Sequence, residues 1–209
     1  MLSNKYLILY NSIKTHNGGS LGNKVETMSK ILSDIMKKHN IQNDQYVIIA
    51  SYCLHKYREI GDLDVVVDAS VYNRLRDSNM FEISTAAISK DERLVLKLPM
   101  IDEDAEIEIF PKERHIGFPS NDYSLDSLHN NNMLLYDANG NPYFNEKTCI
   151  DLYSSITVND GNYYTYNFKI KRDRVIKNIS HLTLIRDNTD NAKIRDYCNM
   201  KINYLSSLI

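Results

Sequence analysis

Short apolar runs alternate with segments suited to helices between residues 45 and 112, and this order constrains the fold more than any other feature of the sequence. The runs are compact and rich in aliphatic residues, as buried strands are. They are Tyr46–Ala50, Leu63–Val67, Arg93–Leu98 and Ala105–Phe110. Ser51 and Ser70 stand where helix-capping residues are expected, ahead of short helices over residues 52–57 and 71–76. Strand, helix, strand, helix, strand is the order of an α/β protein.

Helical patterns flank this core on both sides. Apolar residues at steps of three and four predict an amphipathic helix from about Leu21 to His39. Further helices are predicted at about 168–185 and 191–208, after a stretch at 115–165 that we interpret as loop-rich. The sequence thus predicts an N-terminal helical segment (1–44), an α/β core (45–112) and a loop-rich and helical C-terminal region (113–209). A short apolar run at Tyr6–Tyr10 fits either a strand or part of a helix.

Composition and charge exclude several classes of protein. The formal net charge is −2, which gives no broad positive field and disfavours duplex nucleic acid as a partner. Three scattered cysteines predict reduced, structural thiols rather than a thiolate metal site. No run has the length of a membrane span, and no basic segment followed by an apolar stretch opens the chain. We therefore expect a cytoplasmic protein with no membrane contact, in the host cytoplasm if the source is viral.

Two acidic pairs carry the main functional signal. Asp62 and Asp64 open the Leu63–Val67 strand, and alternation puts both on one face with Cα atoms roughly 6.6 Å apart. Glu106 and Glu108 share one face of a later strand in the same way. If the two strands pair, three or four carboxylates converge, and their repulsion calls for a cation. Divalent ions with oxygen ligands suit such a site. Taken singly, Asp-x-Asp is also typical of a solvated strand end, and Glu-x-Glu of the wet face of an edge strand.

These residues together resemble the DNA polymerase β-type nucleotidyltransferase superfamily, whose signature is an apolar strand, Gly-Ser, a short helix, Asp-x-Asp and a third acid on a later strand. Ser51 matches the signature serine, and Asp62 follows it by eleven positions, in agreement with the usual gap. Asp62 and Asp64 match the metal-binding pair. Glu108 best matches the third acid, with Glu106 as a close competitor. The resemblance covers about 65 residues and implies a mixed sheet with flanking helices.

The resemblance implies a definite chemistry. Mg²⁺ or Mn²⁺ would be held by Asp62, Asp64 and a glutamate, Glu106 or Glu108. The substrate would be a nucleoside triphosphate, whose α-phosphorus is attacked by a hydroxyl of a small molecule, a protein or an RNA end. Catalytic roles would fall to Asp62, Asp64 and Glu108. Phosphate contacts are expected from Ser51 and from the cations that follow it, Lys56 and Arg58.

The sequence departs from the signature at two positions. Ala50 replaces the glycine, where the backbone must approach phosphates closely, and a glutamate replaces the more usual third aspartate. A second hypothesis is therefore a catalytically inert nucleotidyltransferase fold that binds nucleotide or a protein partner. A third is a regulatory component of a toxin–antitoxin or phage–host conflict system.

Weaker signals lie outside the core. Gly18–Lys24 fails the P-loop pattern, and a flexible loop ahead of a helix explains it. A basic run enters the 168–185 helix and fits either a solvated face or a triphosphate or nucleic-acid contact; it comprises Lys169, Lys171, Arg172, Arg174 and Lys177. Nearby tyrosines fit base stacking or packing; they are Tyr163, Tyr164 and Tyr166. His115, His129 and His181 lack the spacing of metal ligands.

Overall fold

The computed structural model describes residues 23–85, 92–112, 125–155 and 168–209, and shows a mixed sheet flanked by helices. The strands are β1 (Tyr46–Ile48), β2 (Asp62–Val67), β3 (Glu82–Thr85), β4 (Glu92–Lys97), β5 (Glu106–Pro111), β6 (Leu134–Tyr136) and β7 (Pro142–Phe144). The helices are α1 (Asn23–Lys38), α2 (Ala69–Arg76), α3 (Leu125–Asn130), α4 (Glu146–Ser155), α5 (Phe168–Asn188) and α6 (Ala192–Ser206). The expected α+β class with a mixed sheet, flanking helices and C-terminal helices is confirmed.

The seven strands form one sheet in the order β3-β4-β5-β2-β1-β7-β6. Two neighbouring pairs are parallel, β2 with β5 and β1 with β7. The remaining pairs are antiparallel. The central pair, β2 and β5, is joined through α2 and the β3–β4 hairpin, which supplies the crossover that a parallel pair requires.

Both faces of the sheet are covered, and the later halves of its two central strands, β2 and β5, are apolar on both sides. On β2, Leu63 and Val65 belong to a buried cluster with α1 and α2. Val66 points the other way, into a second cluster built with α3, α4, α5 and α6. This two-sided burial explains the unbroken Val65–Val67 run, because a strand buried on one face only would alternate with polar residues.

Helix α1 confirms the predicted N-terminal helix almost to the residue. Its apolar side chains at three- and four-residue steps form a single stripe against the sheet. They are Met28, Ile31, Leu32, Ile35 and Met36, all fully or almost fully buried. Beyond the helix Asn40 adopts a left-handed conformation with φ 51°, which asparagine tolerates better than most residues.

The interpretation of residues 115–165 as loop-rich is wrong for the part that the structure describes. Residues 125–155 contain α3, β6, β7 and α4. The two strands have only three residues each, and β7 begins at Pro142, so neither shows the period of a strand in the sequence. Because β7 pairs with β1, the sheet continues across the predicted join near residue 112.

Both predicted serine caps are also wrong. Ser51 lies inside a 3₁₀ turn, Ala50–Leu54, that follows Ile49, instead of capping a longer helix. Helix α2 follows Asp68, so Ser70 is its second residue rather than its cap. Several patterns lie outside the described residues: the Tyr6–Tyr10 run, most of the Gly18–Lys24 loop, His115 and the Tyr163–Tyr166 tyrosines. In the described segments, no helix has both the length and the apolar composition needed to cross a membrane.

Candidate functional site

The two acidic pairs meet on the central strands of the sheet. Strands β2 and β5 are parallel neighbours, with Asp62 opposite Glu106 and Asp64 opposite Glu108. Residues opposite each other on adjacent strands share a face, and the strands lie about 4.8 Å apart. The pairing that the sequence hypothesis required is therefore confirmed. We call these four residues the acidic cluster.

The acidic cluster is sheltered rather than fully solvated. β5 is an interior strand between β4 and β2, and the side chain of Glu108 is buried, with the residue 4% exposed. Asp62, Asp64 and Glu106 are of intermediate exposure. The alternative interpretation of Glu-x-Glu as the wet face of an edge strand is therefore wrong.

Two members of the acidic cluster, Asp64 and Glu108, have strongly raised pKa values. Burial raises the pKa of Asp64 to about 7, and the negative charge of Asp62 adds to the effect. Burial also raises the pKa of Glu108 to about 8, helped by a hydrogen bond with Glu106 and by the charge of Asp64. Both shifts have the direction expected of carboxyl groups that are crowded together away from water.

Arg93 contacts the cluster directly from the neighbouring strand β4. Its Nη1 forms an ion pair with Oε1 of Glu108. The positive charge of Arg93 partly offsets the raised pKa of both Asp64 and Glu108. In the sequence Arg93 is the first residue of a predicted strand, with no predicted role in the site. Strand alternation, which puts Arg93 and Lys97 on one face of β4, is the signal that could have identified it.

Helix α5 and the loop before β2 bring further cations to the cluster. The positive charge of Lys177 on α5 acts on Asp64, and the charges of Asp62 and Asp64 act in return on Lys177. Arg58 and Arg174 both lower the pKa of Lys177, so the three cations lie close together. Lys177 is exposed and Arg174 is half-buried, so this part of the basic run faces solvent, and the charge of Lys177 also acts on the acidic cluster.

His181 lies one turn further along α5 and is kept neutral by its surroundings. Burial lowers its pKa to about 4, and Arg58, Lys177 and Arg174 add to the shift. Its ring packs at 4.8 Å from that of Tyr153, and its buried Nδ1 has no hydrogen-bond partner among the described residues. The sequence predicts no role for His181 in a metal site, because it lacks the spacing of metal ligands. No local pattern marks its position beside the cations.

The residues predicted to hold phosphates are spread over two regions. Ser51 is half-buried in the 3₁₀ turn beside β2, where the amide of Ile49 donates to the carbonyl of Asp64 at 2.8 Å. Arg58 joins the cations described above. Lys56 instead pairs with Glu146 at the start of α4. The structure therefore places Arg58 near Lys177 and His181 and engages Lys56 elsewhere.

Carboxylate oxygens are the donors that Mg²⁺ and Mn²⁺ prefer, so the chemistry of the cluster fits such an ion. Four carboxylates in register, two of them with raised pKa, also have a repulsion that a divalent cation would relieve. Within the described ranges, however, no three His, Cys, Asp or Glu side chains are arranged around one point as metal ligands. In this arrangement Glu108 is engaged by Arg93.

The comparisons with known proteins give no family assignment. No family model matches the chain, and neither a curated protein nor a solved structure matches it significantly.

Proposed function

We propose that this protein is a metal-dependent nucleotidyltransferase that moves a nucleoside monophosphate from a nucleoside triphosphate to a hydroxyl acceptor. The observation that carries the proposal is the in-register pairing of Asp62 and Asp64 with Glu106 and Glu108 on one face of two central strands. The cations Arg58, Arg174 and Lys177 support it, because a triphosphate needs positive charge next to its metal site.

The roles follow from charge and position. Asp62, Asp64 and a glutamate of the cluster would hold Mg²⁺ or Mn²⁺, an ion that stabilises charge on the entering and departing oxygens when bound. Lys177, Arg174 and Arg58 would neutralise the phosphates and the pyrophosphate that leaves. Ser51 would contact them from the turn beside β2.

Proton transfer falls to the cluster itself. When the acceptor oxygen bonds to the α-phosphorus, the bond from that phosphorus to the bridging oxygen breaks, and the hydroxyl proton needs a base. A carboxylate with ordinary acidity is a poor base at neutral pH. Glu108, whose pKa burial raises to about 8, has the proton affinity for this role.

Pyrophosphate release tests the proposal. The protein is incubated with each of the four ribonucleoside triphosphates and Mg²⁺ or Mn²⁺, with a small-metabolite extract, total RNA or the protein itself as acceptor. We expect release with at least one triphosphate, and a loss of about 100-fold or more in Asp64→Asn, the scale seen when one group stabilising a transition state is removed. The matched control is Asp104→Asn, an exposed aspartate before β5. Absence of release with every triphosphate, both metals and all acceptors would contradict the proposal.

A second candidate is an inert member of the same fold that binds nucleotide or a protein partner. The ion pair of Arg93 with Glu108 favours it, because a carboxylate held by arginine is not free to bind metal. A rise in melting temperature with triphosphate plus metal, without pyrophosphate release, would select this candidate.

We also propose that the protein works in a reducing compartment such as the cytoplasm. Cys53, Cys149 and Cys198 are all buried and none of them is part of a disulfide, which supports this proposal. Titration of three thiols in unfolded protein purified without reductant is the expected result, and fewer than three would contradict it.

A further inference from the structure

Arg93 is held beside the acidic cluster by the pairing of its strand with β5. It lies on β4, which pairs with β5 so that Val95 is opposite Glu108 and Lys97 is opposite Glu106. Arg93 is two residues from Val95 and therefore shares the face of the cluster. Its side chain is 24% exposed, against 5% for the side chain of Glu108, so this ion pair is largely shielded from water.

The positive charge of Arg93 reaches more than its direct partner. It acts on Asp64, across β5, as well as on Glu108. An arginine keeps its charge at every physiological pH, so this compensation does not depend on proton uptake. Arg93 also has spare donor capacity: its Nε is buried and makes no hydrogen bond to any described residue.

A divalent ion and a guanidinium compete for the same carboxylate oxygens. Oε1 of Glu108 already accepts from Arg93, and an ion bound there would lie close to a fixed positive charge. That closeness weakens metal binding through repulsion, which is strong where water is excluded.

We propose that Arg93 is a built-in counter-ion, which holds Glu108 in the metal-free protein and competes with a divalent ion for that carboxylate. The biological purpose of this competition rests on the proposed function, but the competition itself requires only the cluster and Arg93. Two effects follow for a variant that lacks the guanidinium. The metal-free protein loses its compensation and becomes less stable, and the cluster binds a divalent ion more tightly.

Metal binding without any triphosphate tests the proposal. Mn²⁺ affinity is measured by isothermal titration calorimetry, and melting temperature by circular dichroism in EDTA and in Mn²⁺. For Arg93→Gln we expect at least threefold tighter Mn²⁺ binding, a lower melting temperature in EDTA and a larger rise on adding Mn²⁺ than in the wild type. The matched control is Arg76→Gln, which removes a more exposed arginine of helix α2 that pairs with Glu92 of β4. It should behave as the wild type.

A conservative variant keeps the proposal testable if Arg93→Gln does not fold. Arg93→Lys retains the charge but loses the planar fork, so its Mn²⁺ affinity should lie between those of wild type and Arg93→Gln, and above wild type in any case. Unchanged or weaker Mn²⁺ binding in the folded variants, or no Mn²⁺ binding by any form, would overturn the proposal. Since no nucleotide is present, a failure of pyrophosphate release leaves this result unaffected.

Discussion

Carboxyl groups of the same residue type differ in burial and in charged partners in this protein. Glu108 is buried on an interior strand and paired with Arg93, whereas Glu103, only five residues earlier, is exposed. The alternation of polar and apolar residues in 106–110 predicted a common face for Glu106 and Glu108. It did not predict their burial, because burial depends on β4 lying outside β5, a long-range pairing that no local pattern encodes.

A substitution at Glu108 separates its electrostatic role from its packing. Glutamine keeps the shape of the side chain, cannot ionise and can still accept a hydrogen bond from Arg93. Because pH 7 lies below the pKa of about 8 of Glu108, we expect the melting temperature of Glu108→Gln in EDTA at that pH to stay close to that of the wild type. The rise in melting temperature on adding Mn²⁺ should be largely lost, because one ligand is missing. Differential scanning calorimetry with and without Mn²⁺ measures both effects. Glu103→Gln, the exposed counterpart, should keep the full response to Mn²⁺.

Elements with an apolar or periodic pattern were predictable from the sequence, including the three-residue strand β1, whereas strands β3, β6 and β7 were not predicted. Helix α1 and strands β2, β4 and β5 match their predicted positions to within about two residues. The β6–β7 hairpin was missed, because a network of polar side chains, rather than an apolar pattern, holds its turn. Asp137 accepts from the hydroxyls of Ser29 and Tyr52 at 2.6 and 2.8 Å. Asn141 donates to the Ser29 carbonyl at 2.9 Å.

The hairpin should lose its attachment to α1 when Asn141 is shortened. Asn141 is 0% exposed, and its Oδ1 accepts from the hydroxyl of Tyr46 at 2.7 Å. Asn141→Ala leaves that hydroxyl and the Ser29 carbonyl with fewer partners, so we expect a loss of about 1–3 kcal/mol in the free energy of unfolding. Urea denaturation followed by circular dichroism measures the change. Asn203→Ala, at an exposed position on α6, should stay within about 0.5 kcal/mol of wild type; an equal loss there would refute the argument.

At the scale of the whole molecule, one face of the sheet carries both apolar side chains packed under helices and the charged side chains of the acidic cluster. Val47, Val66 and Phe110 of this face are covered by the C-terminal helices. The acidic cluster occupies the same face further along β2 and β5, where α5 contributes its cations. The sequence contained both the carboxylates and the basic run. The proximity of the carboxylates to the basic run was not predictable, since it depends on how the chain from 168 onward folds back over β2.

The stability of the metal-free protein should depend on pH in a direction set by these groups. The pKa values of Asp64 (about 7) and Glu108 (about 8) are raised above their ordinary values of 3.8 and 4.5. The folded state therefore retains protons that the unfolded state releases, and stability falls as pH rises toward 8. His181 acts oppositely: its pKa is lowered from 6.5 to about 4, so its contribution is lost as pH falls through that window.

Above pH 6.5 the effect of the two carboxyl groups on stability can be measured separately from that of His181. In EDTA we expect the melting temperature to fall between pH 6.5 and 8.5, and to fall less in Glu108→Gln, which has lost one of the two titrating groups. Calorimetry at half-unit steps of pH measures this slope. A melting temperature that rises across the interval in wild-type protein would show that the two carboxyl groups are not protonated in the folded state.

The position of the carboxylates on two hydrogen-bonded strands at the centre of the sheet limits how the cluster can respond to a ligand. Backbone movement there would break the ladder between β2 and β5, so the Cα framework acts as a fixed template. Adjustment is left to side-chain torsions, of which each aspartate has two and each glutamate three. Glu106 and Glu108 are consequently the residues of the cluster that can adapt to a ligand, because a change of rotamer alone can replace one positively charged partner with another.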